Sequence, residues 1–290
     1  MTPTQFLMGL FVAASWGLGF TLAKIGMTEF PPFMIMSLRF GLAAAVLVWW
    51  APPPVGRLKL IFFIAFISAT VQYGLTFYGL TGLDASTAVL VVQLEAPFMA
   101  LIATVFLKET FGLKRGIGMA LAFAGVAVIA GEPRLADNLV YVFLVMGGAF
   151  TWSVGQVMVS RVRDVASSTL LAWVAVFAAP QMAVASLLLE EGQWQAVQAA
   201  GPTQWLIVAY LGLIMTAAAY GVWYRLLHQV ALNQAAPFML LTPVTSILAG
   251  VLLLDEVVTA VMAVGAVMVL GGVALMTFER RRRDDAGSQP

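Results

Sequence analysis

The sequence predicts an all-α, polytopic membrane protein with ten transmembrane helices arranged as two inverted five-helix repeats. Composition gives the first sign: of 290 residues, 61% are hydrophobic and 10% charged, with mean hydropathy +0.95, whereas a soluble chain carries roughly a quarter charged residues. Apolar stretches near the ~20 residues that cross a bilayer recur ten times. The basic residues then sort by side. Arg57 and Lys59 follow the second stretch, Lys108, Lys114 and Arg115 the fourth, Arg161 and Arg163 the sixth; Arg225 ends the eighth, and Arg280, Arg281, Arg282 and Arg283 follow the tenth, which makes 12 of the 15. Positive loops stay cytoplasmic, so both termini are expected there.

The spans are expected at 4–24, 32–50, 58–80, 84–107, 113–131, 139–160, 166–190, 203–228, 232–254 and 258–278. Pro31-Pro32, Pro52-Pro53-Pro54 and Gly201-Pro202 interrupt the pattern where helices should stop or start. The gap around Thr81-Gly82 is so short that its flanking helices must be antiparallel neighbours. A signal peptide is not expected, because no basic residue precedes Lys24 and Trp16-Gly17 occupies the apolar centre. Absence of cysteine excludes disulfides, thiolate metal sites and cysteine nucleophiles. The one histidine, His228, closes the eighth stretch and reads as an interfacial residue.

The second half repeats the first. Trp16 matches Trp152 in the opening helix of each half. A constant shift of 147 superimposes Tyr73 on Tyr220, Gly74 on Gly221, Leu80 on Leu227, Glu109 on Glu256, Gly118 on Gly265 and Gly125 on Gly272. Pro97 and Pro243 differ by 146, a one-residue slip that a local bulge absorbs. Five helices per repeat is an odd number, so the halves enter the membrane from opposite sides, with a boundary expected between 1–133 and 134–290. Inverted repeats are the architecture of secondary transporters, whose substrate site lies near the midplane where the halves meet.

On Ala14-Ser15-Trp16-Gly17, Ser37-Leu38-Arg39-Phe40 and the Pro97 to Glu109 and Pro243 to Glu256 segments, the chain resembles the drug/metabolite transporter superfamily in its EamA-type ten-helix branch, over about residues 4–278. The Pro-to-Glu spacing is 12 in the first repeat and 13 in the second, which blurs the register of the fourth helix. Within the family the chain is most similar to the aromatic amino acid exporters of bacterial inner membranes. The resemblance implies a multi-pass inner-membrane exporter working by alternating access, with aromatic and other hydrophobic amino acids as solutes and amphiphilic metabolites such as organic cations as the alternative. It implies the lipid bilayer and a small molecule as partners, no nucleic acid, no cofactor, and a monomer or homodimer.

A substrate path needs polar groups where lipid forbids them. Glu95 and Arg39 lie mid-span, where a charge costs about 2.5–3.5 kcal/mol on insertion scales, so neither should face lipid. Glu95 reads as a solute or proton group; Arg39 reads equally as a functional group or as its buried partner. Pro97 removes a helical donor and frees the carbonyl of Gln93, and Pro243 does the same at Met239 beside Thr242, Thr245 and Ser246, so both are expected as hinges. Trp16, Tyr78, Gln93, Trp152, Gln156, Tyr220 and Tyr224 complete the expected substrate-binding set, with rings for stacking and amides for polar ends. Core packing is the competing explanation for any single ring. Trp49, Trp50, Trp194 and Trp205 fit the membrane interface instead. Glycines and alanines of the fifth and tenth helices permit close contact between helices or between copies.

An intramembrane enzyme would need a nucleophile with its base, or a metal set; the chain has neither His-Glu-x-x-His nor Gly-x-Ser-x-Gly. No Walker-type loop is present, so ATP is not the direct energy source. A channel remains the other rival, against which kinked inverted repeats favour alternating access.

Overall fold

The protein is described by a computed structural model at residues 1–107, 112–162, 164–230 and 232–278. The expected match at Glu109 and the loop charges at Lys108, Arg163 and Arg280 to Arg283 lie outside the described residues.

Ten helices long and apolar enough to cross a membrane make up the described chain. They are α1 (Pro3–Gly26), α2 (Pro32–Trp50), α3 (Leu58–Thr81), α4 (Ala85–Val92 and Glu95–Leu107), α5 (Leu113–Ala130), α6 (Leu139–Val159), α7 (Ser167–Leu189), α8 (Pro202–Gln229), α9 (Leu232–Met239 and Leu241–Leu254) and α10 (Ala260–Phe278). Helix starts follow local rules. Thr2 accepts from the Gln5 N–H while Gln5 returns the bond, and Pro3, Pro32 and Pro202 occupy first-turn positions that need no donor. Left-handed Asp255 (φ 53°) closes α9.

The inverted repeat is visible in the packing. α5 lies along α10 and α2 along α7, pairing equivalent helices of the two halves. α1 packs on α8 and α9, as α6 packs on α3 and α4. A Cβ on Gly118 would sit 2.7 Å from the Gly272 carbonyl, and one on Gly125 2.8 Å from that of Gly265. Because 118 maps on 265 and 125 on 272, these two contacts are images of each other. The small residues of α5 and α10 therefore join helices of one chain, by the backbone approach that replaces the hydrophobic effect in lipid.

Among the described residues, four spans depart from α-helix in their interior, in symmetric pairs. α4 breaks at Gln93-Leu94 and α9 at Leu240, each ahead of its proline. The Gln93 carbonyl is not left free as expected: the Ala96 N–H donates to it at 3.3 Å, one residue short of the bond that Pro97 removes. On α9, Thr245 donates to the carbonyls of Ala13 (3.0 Å) and Thr242 (2.9 Å), so the hydroxyl beside Pro243 ties α9 to α1. The second pair was not foreseen. α3 and α8 each carry a π-helical stretch mid-span, Phe66–Val71 and Tyr210–Ala218.

The two repeats are also joined at both ends of the bundle. Arg57, before α3, donates to Asp164, before α7, at 2.8 Å with both side chains about half exposed; the guanidinium holds the Asp164 carboxyl below the usual carboxylate range. At the opposite end Arg134, of the second repeat, donates to Asp84 and Glu132 of the first, both at 2.8 Å; within the first repeat Lys24 donates to the Leu83 carbonyl.

Candidate functional site

A π-turn inserts one residue into a helix and redirects the side chains around it, and such turns concentrate at functional sites. In α8 the Thr216 hydroxyl spans the turn to the carbonyl of Leu211, 2.7 Å away and five residues earlier. The same oxygen accepts Arg39 Nε at 2.8 Å. Arg39 is 1% exposed. Its other contacts are the Tyr73 hydroxyl (3.3 Å), the Met36 sulfur (3.7 Å), and the ring faces of Tyr73 and Phe40, 4.5 and 5.2 Å from the guanidinium carbon. No ion pair joins Arg39 to Glu95, so of the two readings open for Arg39 the buried pair is absent.

Around this core lies a cavity of about 90 Å³ bounded by α2, α3, α6, α7 and α8. Trp152, Gln156, Tyr220 and Tyr224 of the expected set share its wall with Tyr73 and Thr216. Trp16 backs that wall: its ring centroid is 5.1 Å from Tyr220 and 5.7 Å from Trp223, and its Nε1 donates to the carbonyl of Met215 inside the π-stretch of α8 (3.2 Å). Tyr220 leans on Tyr224, centroids 6.2 Å apart. The aromatic residues of opposite repeats are thus brought into one cluster, with centroid separations inside the range at which aromatic pairs attract.

Glu95 opens the second half of α4, where its backbone carbonyl accepts from Ser153, next to Trp152 on α6 (2.9 Å). The side chain is partly accessible yet lies within the bundle, and it makes no hydrogen bond or ion pair with a described residue. Gln93 sits at the break itself, half-buried. Tyr78 goes elsewhere. It is 48% exposed and lines a separate, apolar cavity of about 470 Å³ with Phe33, Phe66, Thr70, Gly74 and Leu189. That cavity lies on the other face of α3, so Tyr78 and Tyr220 do not meet the same solute in this conformation.

Size sets a condition on the mechanism. Sites for small molecules commonly enclose about 300–1,000 Å³, so a cavity of about 90 Å³ must widen before an aromatic solute fits. The breaks in α4 and α9 and the π-turns in α3 and α8 are the points at which these four spans depart from regular α-helix.

Sequence reasoning missed Phe40, Ser68, Thr216 and the π-stretches. One signal existed: two residues separate Thr70 from Tyr73, whereas three separate Thr216 from Tyr220, an extra residue of the kind a bulge accommodates.

The chain is similar over its whole length to proteins of the same architecture. It is 28% identical over 292 residues to the probable amino-acid metabolite efflux pump of Escherichia coli (strain K12), covering 98% of both chains. It is 30% identical over 296 residues to the probable amino-acid metabolite efflux pump of Salmonella typhimurium, covering 99% of both. A protein of known crystal structure, 20% identical, superposes with a TM-score of 0.66 over 97% of this chain and 99% of its own, a likeness of fold. The EamA-like transporter family model matches residues 4–131 and again 139–278, one match for each half. With one match on each half and the two together spanning nearly the whole chain, this protein belongs to the EamA-like transporter family.

Proposed function

We propose that the protein exports aromatic and other hydrophobic amino acids across the bacterial inner membrane by alternating access, with both termini cytoplasmic. The observation that carries the reading is the convergence of Trp152, Gln156, Tyr220 and Tyr224 on one cavity between the repeats. Rings from both halves there offer stacking surfaces, and Gln156 and Thr216 offer polar contacts. The names of the two enterobacterial relatives support the solute class. Trp16 stiffens the ring cluster, Glu95 holds the solute ammonium or exchanges it for a proton, and Pro97 and Pro243 act as paired hinges. Orientation rests on the basic residues, which the sequence sorts into alternate gaps between spans.

A second reading, export of amphiphilic organic cations, draws on Glu95, an interior carboxylate with no cationic partner among the described residues. Counterflow into proteoliposomes bearing the purified protein separates the two. Phenylalanine, tyrosine and leucine should enter and exchange with one another, while a quaternary aromatic cation should neither enter nor compete. Entry of the cation alone transfers the assignment to the second reading.

A further inference from the structure

We propose that Arg39 binds the carboxylate of the transported solute, a role that rests on the amino-acid reading of the cavity and adds the group that recognises the acid end. Arg39 is a charge in the middle of a span, closed off from solvent, whose contacts are a hydroxyl on Thr216, a hydroxyl on Tyr73, a thioether and two ring faces. All are neutral. A buried charge left in neutral surroundings is costly, and a counter-charge with good hydrogen-bond geometry relieves that cost. Its three hydrogen bonds use three of the five guanidinium donors, leaving one on each terminal nitrogen. Two remaining donors match in number the two oxygens of a carboxylate.

The cavity is where such a carboxylate would arrive. Phe40, Tyr73 and Thr216, which hold the guanidinium, are themselves cavity wall. A carboxylate that displaces the Tyr73 or Thr216 oxygen therefore meets Arg39 with no other layer between. Glu95 stands against α6 beside Ser153 and Trp152, which leaves the two charges on separate helices of the same repeat without pairing. A solute with an ammonium at one end and a carboxylate at the other suits that division.

The repeat supplies an internal control. In the opposite half, α7 reaches the π-stretch of α3 through Gln181, whose Oε1 accepts from the Thr70 hydroxyl at 2.6 Å. Thr70 and Thr216 are repeat equivalents at the shift of 146 that also relates the two prolines. A neutral amide is enough to fasten a helix to this kind of turn. The positive charge at Arg39 is then surplus to the fastening, and surplus charge in a bilayer protein marks a ligand pathway.

The test uses the full-length protein, as parent, Arg39→Gln and Arg39→Lys, in detergent and in proteoliposomes. Phenylalanine, 3-phenylpropionate and phenethylamine share a ring and differ in which charged end they carry. In the parent, phenylalanine and 3-phenylpropionate should raise the melting temperature. Arg39→Gln should weaken both by about 10- to 100-fold, the range for loss of a charge-assisted bond, and leave phenethylamine within about twofold. Arg39→Lys should recover part of the loss. A parent stabilised by neither carboxylate overturns the proposal, as does an Arg39→Gln protein that weakens amine and acids alike. If Arg39→Gln does not fold, Arg39→Lys decides between the same two outcomes by its ratio of acid to amine affinity. A parent that binds 3-phenylpropionate through Arg39 but does not transport phenylalanine overturns the amino-acid reading and leaves the anion site standing.

Discussion

Glu256, in the turn between α9 and α10, accepts hydrogen bonds from the backbone N–H of Ser86 at 3.0 Å and from its hydroxyl at 2.5 Å. Its other oxygen accepts from Ala85 N at 2.6 Å. The first turn of α4 is thereby capped by a carboxylate of the opposite repeat, which satisfies orphan donors and complements the helix dipole. Glu190 caps α2 in the same way, through Phe33 N (2.7 Å) and Met34 N (3.2 Å), while Ser186 steadies it at 2.7 Å. Glu256→Ala should cost about 1.5–3 kcal/mol, the worth of hydrogen bonds to a charged group. Gly250→Ala should act similarly, because a Cβ there would lie 2.9 Å from the Glu256 carboxyl carbon. Thermal unfolding in detergent measures both; unchanged melting temperatures would assign the cap no part in stability.

The image contacts between α5 and α10 make a second prediction. Gly118→Val and Gly125→Val each force side-chain atoms against the carbonyl of a facing glycine, and each should destabilise by about 1–3 kcal/mol, the range for overpacking. The related substitutions at Gly265 and Gly272 should match them pairwise. A glycine valine variant with parental melting behaviour would show that α5 and α10 separate freely in solution.

Ring removal tests the cavity. Trp152→Ala and Tyr220→Ala should weaken aromatic solutes more than leucine, by about 0.5–1.5 kcal/mol per ring beyond lost area. Trp16→Ala should act more weakly, because Trp16 reaches the cavity through Tyr220. Tyr78→Ala, on a separate cavity, should leave the ratio of phenylalanine to leucine affinity unaltered. Competition curves in proteoliposomes read all four, and equal losses for both solutes would place the solute away from these rings.

Glu95→Gln preserves shape and removes charge. It should fold as the parent does, since no described group pairs with the carboxylate, and should lose most transport of zwitterionic solutes. Parental transport by Glu95→Gln from mildly acidic to neutral pH would exclude Glu95 as solute ligand and as proton carrier.

Sidedness is read with single cysteines, against a chain that has none of its own. Gly82 is a poor site, since its Cβ would overlap the Tyr141 ring. Val257, 67% exposed, and Val55, 87% exposed, lie at opposite ends of the bundle. An impermeant thiol reagent on intact cells should label Val257→Cys and spare Val55→Cys; the reverse pattern would invert the assigned orientation.

Ten spans, their boundaries within a few residues, the five-helix repeat and its inversion were all legible in the chain. Length and hydropathy are local properties, a bilayer forces every backbone donor to be met within its own helix, and an odd repeat unit inverts by counting. The glycine pattern of α5 and α10 was legible for the same reason, since matched small residues in matched helices can meet across a pseudo-twofold axis. Which way each helix turns was not legible. Lipid-facing and protein-facing positions are both apolar, so no polar stripe tells the inward side of a helix from the outward one. Tertiary packing alone put Tyr220 in the polar cavity and Tyr78 outside it, returned a donor to the Gln93 carbonyl, and gave Arg39 hydroxyls in place of the carboxylate that was one of its two open readings. The π-turns stand between the two: they are made of ordinary helical residues, and their one trace in the chain is the extra residue between Thr216 and Tyr220.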